Sequence, residues 1–133
     1  MTSTISSELA VSVLKSAGDA IVTLDRSAKV TSWNLAAERL FGFSEQDAIE
    51  QGLVLIIPAE HRARHVAGFH AAMDSGHLEH GGAVARVEAM TASGQKLVLG
   101  MTLGLLQREG QEPSGVVAVL RPLGDAAVEF VTG

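Results

Sequence analysis

Apolar positions fall at helical spacing in residues 5–17, where Leu9, Ala10, Val13, Leu14 and Ala17 share one face before Gly18 breaks the pattern. The stripe is narrow, so it either covers a sheet or meets a partner helix, packing within the chain being the simpler use. The period then changes. AIVTLD, Ala20 to Asp25, and KVTSW are short and β-rich, and only Arg26-Ser27-Ala28 separates them, which predicts a hairpin. Asn34 follows as a good N-cap, because its side-chain oxygen can accept from the orphan amides of the next turn. LAAERLF reads as a helix ending at Gly42, and Ser44 to Asp47 resembles a capping box that opens another short one.

GLVLIIP is apolar without a clear period and is read as a buried, turn-rich connector. Pro58 suits the start of a helix and Glu60 its first turn, so HRARHVAGFHAAMDS continues as a longer helix to Gly76. Three strands are expected at 83–91, 95–106 and 115–121, joined by Ser93-Gly94 and by the loop from Glu109 to Ser114. Two strands, then helices, then three strands is an antiparallel α+β order. The expected organisation is an amphipathic helix at 1–17, a domain at 18–123 and a tail at 124–133.

The strand 97–106 has the clearest alternation. Leu97, Leu99, Met101, Leu103 and Leu105 alternate with Val98, Gly100, Thr102 and Gly104, so large side chains take one face and small ones the other. The large face calls for burial against the helices. The small face permits close approach by another backbone, either the N-terminal helix or a second subunit. In the preceding strand Ala83, Ala85, Val87 and Ala89 form the inward set and Val84, Arg86, Glu88 and Met90 the outward one. Small inward residues leave room beneath the long helix. Leu99, Met101 and Phe69 fill that room, or a ligand does.

Composition narrows the class. In 133 residues, 47% are hydrophobic and 19% charged, a mixture that supports one packed core and is unlike a disordered segment. Trp33 and four Phe are the only aromatic residues, so Leu, Val, Ile and Ala must build most of the core. There is no cysteine, which removes disulfides, thiolate metal sites and cysteine nucleophiles together. The formal charge is −5 and the closest basic pair is Arg62 and Arg64, a poor footprint for direct nucleic-acid binding. The longest apolar run, Leu97 to Leu106, falls short of the roughly 20 residues of a membrane helix, and the N-terminus lacks a secretion pattern. The expected setting is the cytoplasm.

All five histidines, His61, His65, His70, His77 and His80, lie in one 20-residue stretch. His61 and His65 stand four apart, a spacing that can chelate zinc, but the glutamate of a His-Glu-x-x-His site is absent. Clustering on a solvated helix and loop is a simpler account than a zinc site; a pH-sensing role is a further alternative. No phosphate loop, Gly-x-Ser-x-Gly elbow or paired carboxylates stand out, so an enzyme is not expected. Asp19 and Asp25 flank a strand and read as turn residues.

With these pieces in order, AGDAIVTLDRSAKVTSWN, LAAERLFGFSEQDAIEQ, IIPAEHRARHVAGFHAAMDSGH and SGVVAVLRPL, the chain resembles the PAS domain family across residues 18–123. The resemblance implies a five-stranded antiparallel sheet, short helices and one long helix across a central pocket. It also implies a sensory module of signal transduction, paired with a histidine kinase or a transcription regulator.

Within the family, PAEHRARHVAGF is similar to the haem-binding PAS domains of oxygen-sensing histidine kinases, with Pro58, Arg62, Arg64 and His65 matching without a gap. Carried over, His65 is the axial haem ligand, and Met101 and Leu103 line the distal side. The expected cofactor-contact set is His65, Phe69, Ala85, Val87, Leu99, Met101 and Leu103, with His65 a metal ligand only for haem iron. The oxygen-responsive arginine of those sensors matches Ala85 here, and alternation turns Arg86 to the other face. The cysteine-dependent flavin and coumarate photochemistries of other members are excluded. The family's closing Asp-x-Thr is replaced around Arg121, by Pro122 and Gly124, and Pro122 is expected to end the last strand. Expected partners are a small ligand or haem, a second copy joined through the N-terminal helix and sheet face, and an effector protein. The alternative reading is a dimerisation and interaction module with a filled core and no cofactor.

Overall fold

A computed structural model describes residues 5–78 and 83–123. His80 and the tail 124–133 lie outside the described residues, as do residues 1–4 of the expected N-terminal helix. The elements are α1 (Ser7–Ser16), β1 (Ala20–Asp25), β2 (Val30–Trp33), α2 (Leu35–Phe41), α3 (Glu45–Gln51), α4 (Arg62–Ser75), β3 (Ala85–Met90), β4 (Lys96–Leu106) and β5 (Gly115–Pro122). The connector after α3 contains the 3-10 turn Leu53–Leu55, and a second 3-10 turn, Ala59–His61, leads into α4.

The strands form one sheet of five in the order β2-β1-β5-β4-β3, antiparallel throughout. The α+β class and the element order therefore stand as read. β1 and β5 are brought together in the middle, Ala20 opposite Leu120 and Asp25 opposite Gly115, and β3 is left as an edge strand with Val87 opposite Leu99. Pro122 occupies the last position of β5, opposite Leu99 and past the last β1 partner of that strand. A proline is tolerated there because the ladder on that side has already ended.

Local chemistry sets the helix ends. Ser6 and Asn34 cap α1 and α2 by accepting from the amides of Leu9 and Ala37, and Ser44 caps α3 by accepting from Asp47. Gly42 closes α2 and Gly76 closes α4 at φ values of 81° and 69°, in the left-handed region where a Cβ is disfavoured.

The core lies between the sheet and the helices α2 to α4. Ala20, Val22 and Leu24 alternate inward on β1, and Val30, Trp33, Phe41, Ala48, Ile56, Ile57, Leu99 and Leu120 complete it. Phe41 and Leu99 have no exposed surface. The Trp33 and Phe41 rings pack at 5.4 Å, and the Trp33 indole nitrogen donates to the Phe43 carbonyl at 2.9 Å. On β4, Leu97, Leu99 and Met101 belong to the core or pack against it, whereas Leu103 and Leu105 are half-buried outside it. The helices thus cover one end of the leucine-bearing face rather than its full length.

One expectation, that α1 packs its apolar stripe within the chain, is corrected. The chain does not bury the apolar stripe of α1: Leu9 is 51% and Val13 56% exposed. On the other face of β4, the nearest groups to Gly100 among the described residues are side chains. They belong to Leu123 and Val84, at 3.2 and 3.4 Å from where a Cβ would stand. Leu123 is held there because its amide donates to the Val98 carbonyl, at 3.1 Å.

Candidate functional site

The 3-10 turn Ala59–His61, the first turn of α4 and the edge strand β3 flank a partly open cavity of about 160 Å³ lined by His61, Arg64, His65, Arg86, Val87 and Glu88. Pro58 and the 3-10 turn after it aim the start of the helix at this edge, and Lys96 on β4 bridges to Glu60 at 3.3 Å across the same junction. That pair is exposed, so it guides more than it stabilises.

His61 is the polar hinge of the cavity. Its Nδ1 lies 2.9 Å from Arg64 Nη2, and a guanidinium has only donors, so Nδ1 accepts. The ring proton is therefore on Nε2, which donates to Glu88 Oε1 at 3.0 Å. This arrangement belongs to a neutral His61 with both nitrogens engaged, and it ties α4 to β3.

His65, one turn further on, differs in both respects. It is half-buried, its ring makes no hydrogen bond among the described residues, and neither nitrogen is sealed from solvent. Burial holds the imidazole below its ordinary value, and the neighbouring Arg64 and His61 act in the same direction. At neutral pH it presents an uncharged ring with a free lone pair. Because His61 is engaged, the two histidines do not offer a ready chelating pair, and no group of three metal-binding side chains is assembled among the described residues.

Of the residues expected at the site, the cavity joins His65 and Val87. Leu99 is fully buried in the core, and Phe69 and Met101 pack against it. Ala85, opposite Met101, and Leu103 are half-buried and line neither the cavity nor the core cluster. Phe69, Leu99 and Met101 thus belong to the core or pack against it and do not line the cavity.

Sequence reasoning missed Arg86, which alternation assigns to the far face. It lines the same cavity as His65, because β3 is an edge strand and α4 packs at that edge, where residues of either face are within reach. Strand order, which decides this, has no local signal in the sequence. A larger recess of about 250 Å³ lies elsewhere, between the start of β1, α2 and the end of β5, and includes Asp19, Arg39, Leu40 and Pro122. Asp19, read as a turn residue, there pairs with Arg121 at 2.8 Å, while Asp25 does serve its turn by accepting from the Ser27 and Lys29 amides.

A family model described as PAS fold matches residues 8–123. The chain belongs to the PAS family. The PAS domain of a protein from Colwellia psychrerythraea superimposes with a TM-score of 0.73 at 17% identity, covering 87% of this chain and 95% of that one. The RpfR quorum-sensing receptor PAS domain of Cronobacter turicensis, solved in complex with BDSF, gives a TM-score of 0.62 at 17% identity over 84% of this chain and all of that one. By sequence, 54 residues are 39% identical to the sensor protein FixL of Bradyrhizobium diazoefficiens, a stretch that makes up 41% of this chain and 11% of that protein.

This PAS domain meets one requirement of a haem site and not the other. A half-buried, neutral imidazole without a ring hydrogen bond is a competent iron ligand. The space beside it, about 160 Å³, is well under the 300–1,000 Å³ typical of pockets for drug-sized ligands. Leu99 is buried in the core with Phe69 and Met101 packed against it, so the space beside His65 in this packing stays too small for a haem. No helix among the described residues is long and apolar enough to cross a membrane.

Proposed function

We propose that this PAS domain is a sensory module that binds a small ligand in the cavity between α4 and β3, and that the ligand's arrival changes how α4 sits on the edge strand. One observation carries the reading: the half-buried His65 lines a cavity beside Val87 and its ring has hydrogen-bonding capacity that no described residue uses. His61 links Arg64 on the helix to Glu88 on the strand, so a ligand that disturbs that link moves one element against the other. The exposed apolar stripe of α1 supports a second copy of the chain as partner, and an effector protein as the recipient of the signal.

Native mass spectrometry of the purified chain tests this. A bound small molecule is expected, and it should be lost when Val87→Trp fills the cavity. A chain that carries nothing, and whose melting temperature no metabolite mixture raises, supports the alternative of a dimerisation module with a filled core.

A second reading, haem held by His65, is favoured by the neutral half-buried imidazole and by the Pro58 to His65 run. It requires Phe69 and Met101 to move aside. Haemin added to the purified protein would then give a Soret band that His65→Ala abolishes and Phe69→Ala strengthens. A spectrum unchanged by His65→Ala rejects it.

A further inference from the structure

We infer that His61 is a proton-operated latch at the start of α4: neutral, it fastens Arg64 and Glu88 to one ring, and protonated, it releases Arg64 and loosens the first helical turn. The latch uses the link between α4 and β3 described above but needs no ligand, so an empty cavity leaves it standing.

The chemistry follows from the two ring nitrogens. Nδ1 accepts from Arg64 Nη2 at 2.9 Å, and Nε2 donates to Glu88 Oε1 at 3.0 Å. A proton arriving at His61 has only Nδ1 to occupy, and it removes the lone pair on which the Arg64 bond depends. Two positively charged donors then face each other, while the bond to Glu88 becomes one between opposite charges. Arg64 must leave, and Glu88 stays.

The start of α4 is poorly equipped to absorb that change. The other three α-helices begin with a side-chain cap and an acidic residue in the first turn. α4 has neither, and Arg62 and Arg64 already stand at the positive end of its dipole. His61 is the residue immediately before Arg62, so an imidazolium there adds a further cation to that end. The surrounding charges do not cancel it. Arg62 is turned to the Ile57 carbonyl, at 3.1 Å, and Glu60 in the preceding 3-10 turn is paired with Lys96 on β4. His65 and Arg86 line the same cavity and bring no negative charge, which leaves Glu88 as the carboxylate that holds the ring.

NMR of the full chain between about pH 8 and 5 tests the latch. At the alkaline end, the ring nitrogen shifts of His61 are expected to report the Nε2–H tautomer. The Val66 and Ala67 amides close the first turn of α4 onto the carbonyls of Arg62 and Ala63. On acidification their hydrogen-exchange protection, corrected for the intrinsic pH dependence, should fall about fivefold, the scale of a lost helix-end interaction. Met73, buried near the far end of the helix, should keep its protection. His61→Gln takes up no proton and should abolish the response at Val66 and Ala67, whereas His65→Gln should respond as the parent does. Glu88→Gln keeps an acceptor for Nε2 and should also still respond. An Nδ1–H tautomer at alkaline pH, protection that does not change, or the same change in His61→Gln overturns the inference. None of these readings depends on whether native mass spectrometry finds a bound molecule, so the latch and the ligand site fail separately.

Discussion

The side-chain amide nitrogen of Asn34 donates to the backbone carbonyl of Leu14, at 3.0 Å. The same nitrogen donates to the Asp19 carbonyl, while Oδ1 accepts from the amides of Ile21 and Ala37 at 2.9 and 3.0 Å. One buried amide, 7% exposed, therefore caps α2, fixes the start of β1 and holds the end of α1. All its principal hydrogen-bonding capacity is used inside the chain.

Asn34→Asp keeps the cap but turns an oxygen toward two carbonyls, so its two donated bonds become repulsive contacts. A loss of about 2–3 kcal/mol is expected, the scale of leaving buried polar groups unmatched. Asn34→Ala should cost about 1 kcal/mol more through the lost cap. Urea denaturation with an unchanged m-value checks both, and hydrogen exchange in Asn34→Asp should show the α1 amides exchanging faster than in the parent. Equal exchange would mean that Asn34 does not hold the helix.

Gly115 sits where β5 crosses β1 opposite Asp25, and a Cβ there would collide with the Leu24 carbonyl oxygen. Backbone cannot swing aside as a side chain can. Gly115→Ala is expected to lose about 2–3 kcal/mol, toward the upper end of overpacking costs. Gly18→Ala, with open space around its Cβ position, is the control and should change the midpoint little.

Ala28 in the β1–β2 turn has a φ of 64°, in the left-handed region. An L-residue with a Cβ costs roughly 1–2 kcal/mol there, and glycine's extra freedom in the unfolded chain takes back only part of it. Ala28→Gly is expected to stabilise by about 0.5 kcal/mol, read as a rise of a few degrees in Tm. A fall in Tm would show that the turn does not hold this conformation in solution.

Stability should depend on pH through His65. Its imidazole is held below the ordinary 6.5 in the folded chain, chiefly by burial. Between the folded value and 6.5 the unfolded chain binds the proton and the folded chain does not, so stability rises with pH across that window and is complete above it. Acidification below 6.5 should lower the urea midpoint, and His65→Gln should flatten that part of the profile. A parent and a variant with parallel profiles would contradict the assignment.

Much of the fold was legible because its signals are local. Leu97 to Leu105 announce their strand by alternation, Asn34 and Ser44 announce their helices by capping, and Gly42 and Gly76 mark the ends by tolerating positive φ. The reading of α1 went astray at one point. Helical spacing shows that Leu9 and Val13 share a face, and says nothing about whether any surface is placed to receive it.

The candidate site was legible only in part, and the residues show why. His65 stood out through its neighbours in sequence, whereas Arg86, which alternation turns to the Gly100 face, comes beside the same cavity only because β3 lies at the edge of the sheet. Phe69, Leu99 and Met101 were recognisable as facing inward, but whether they surround a space or fill it depends on distances between elements far apart in the chain.

The sequence by itself determined the elements, their order and the inward faces of the strands, since period, capping and turn chemistry act over a few residues. Only the tertiary structure decided that β3 is an edge, that Arg86 joins His65 at that edge, and that the leucine-bearing face is packed beside α4. Those outcomes depend on which strands become neighbours and how closely a helix docks, and they are set by contacts between residues that no local pattern links.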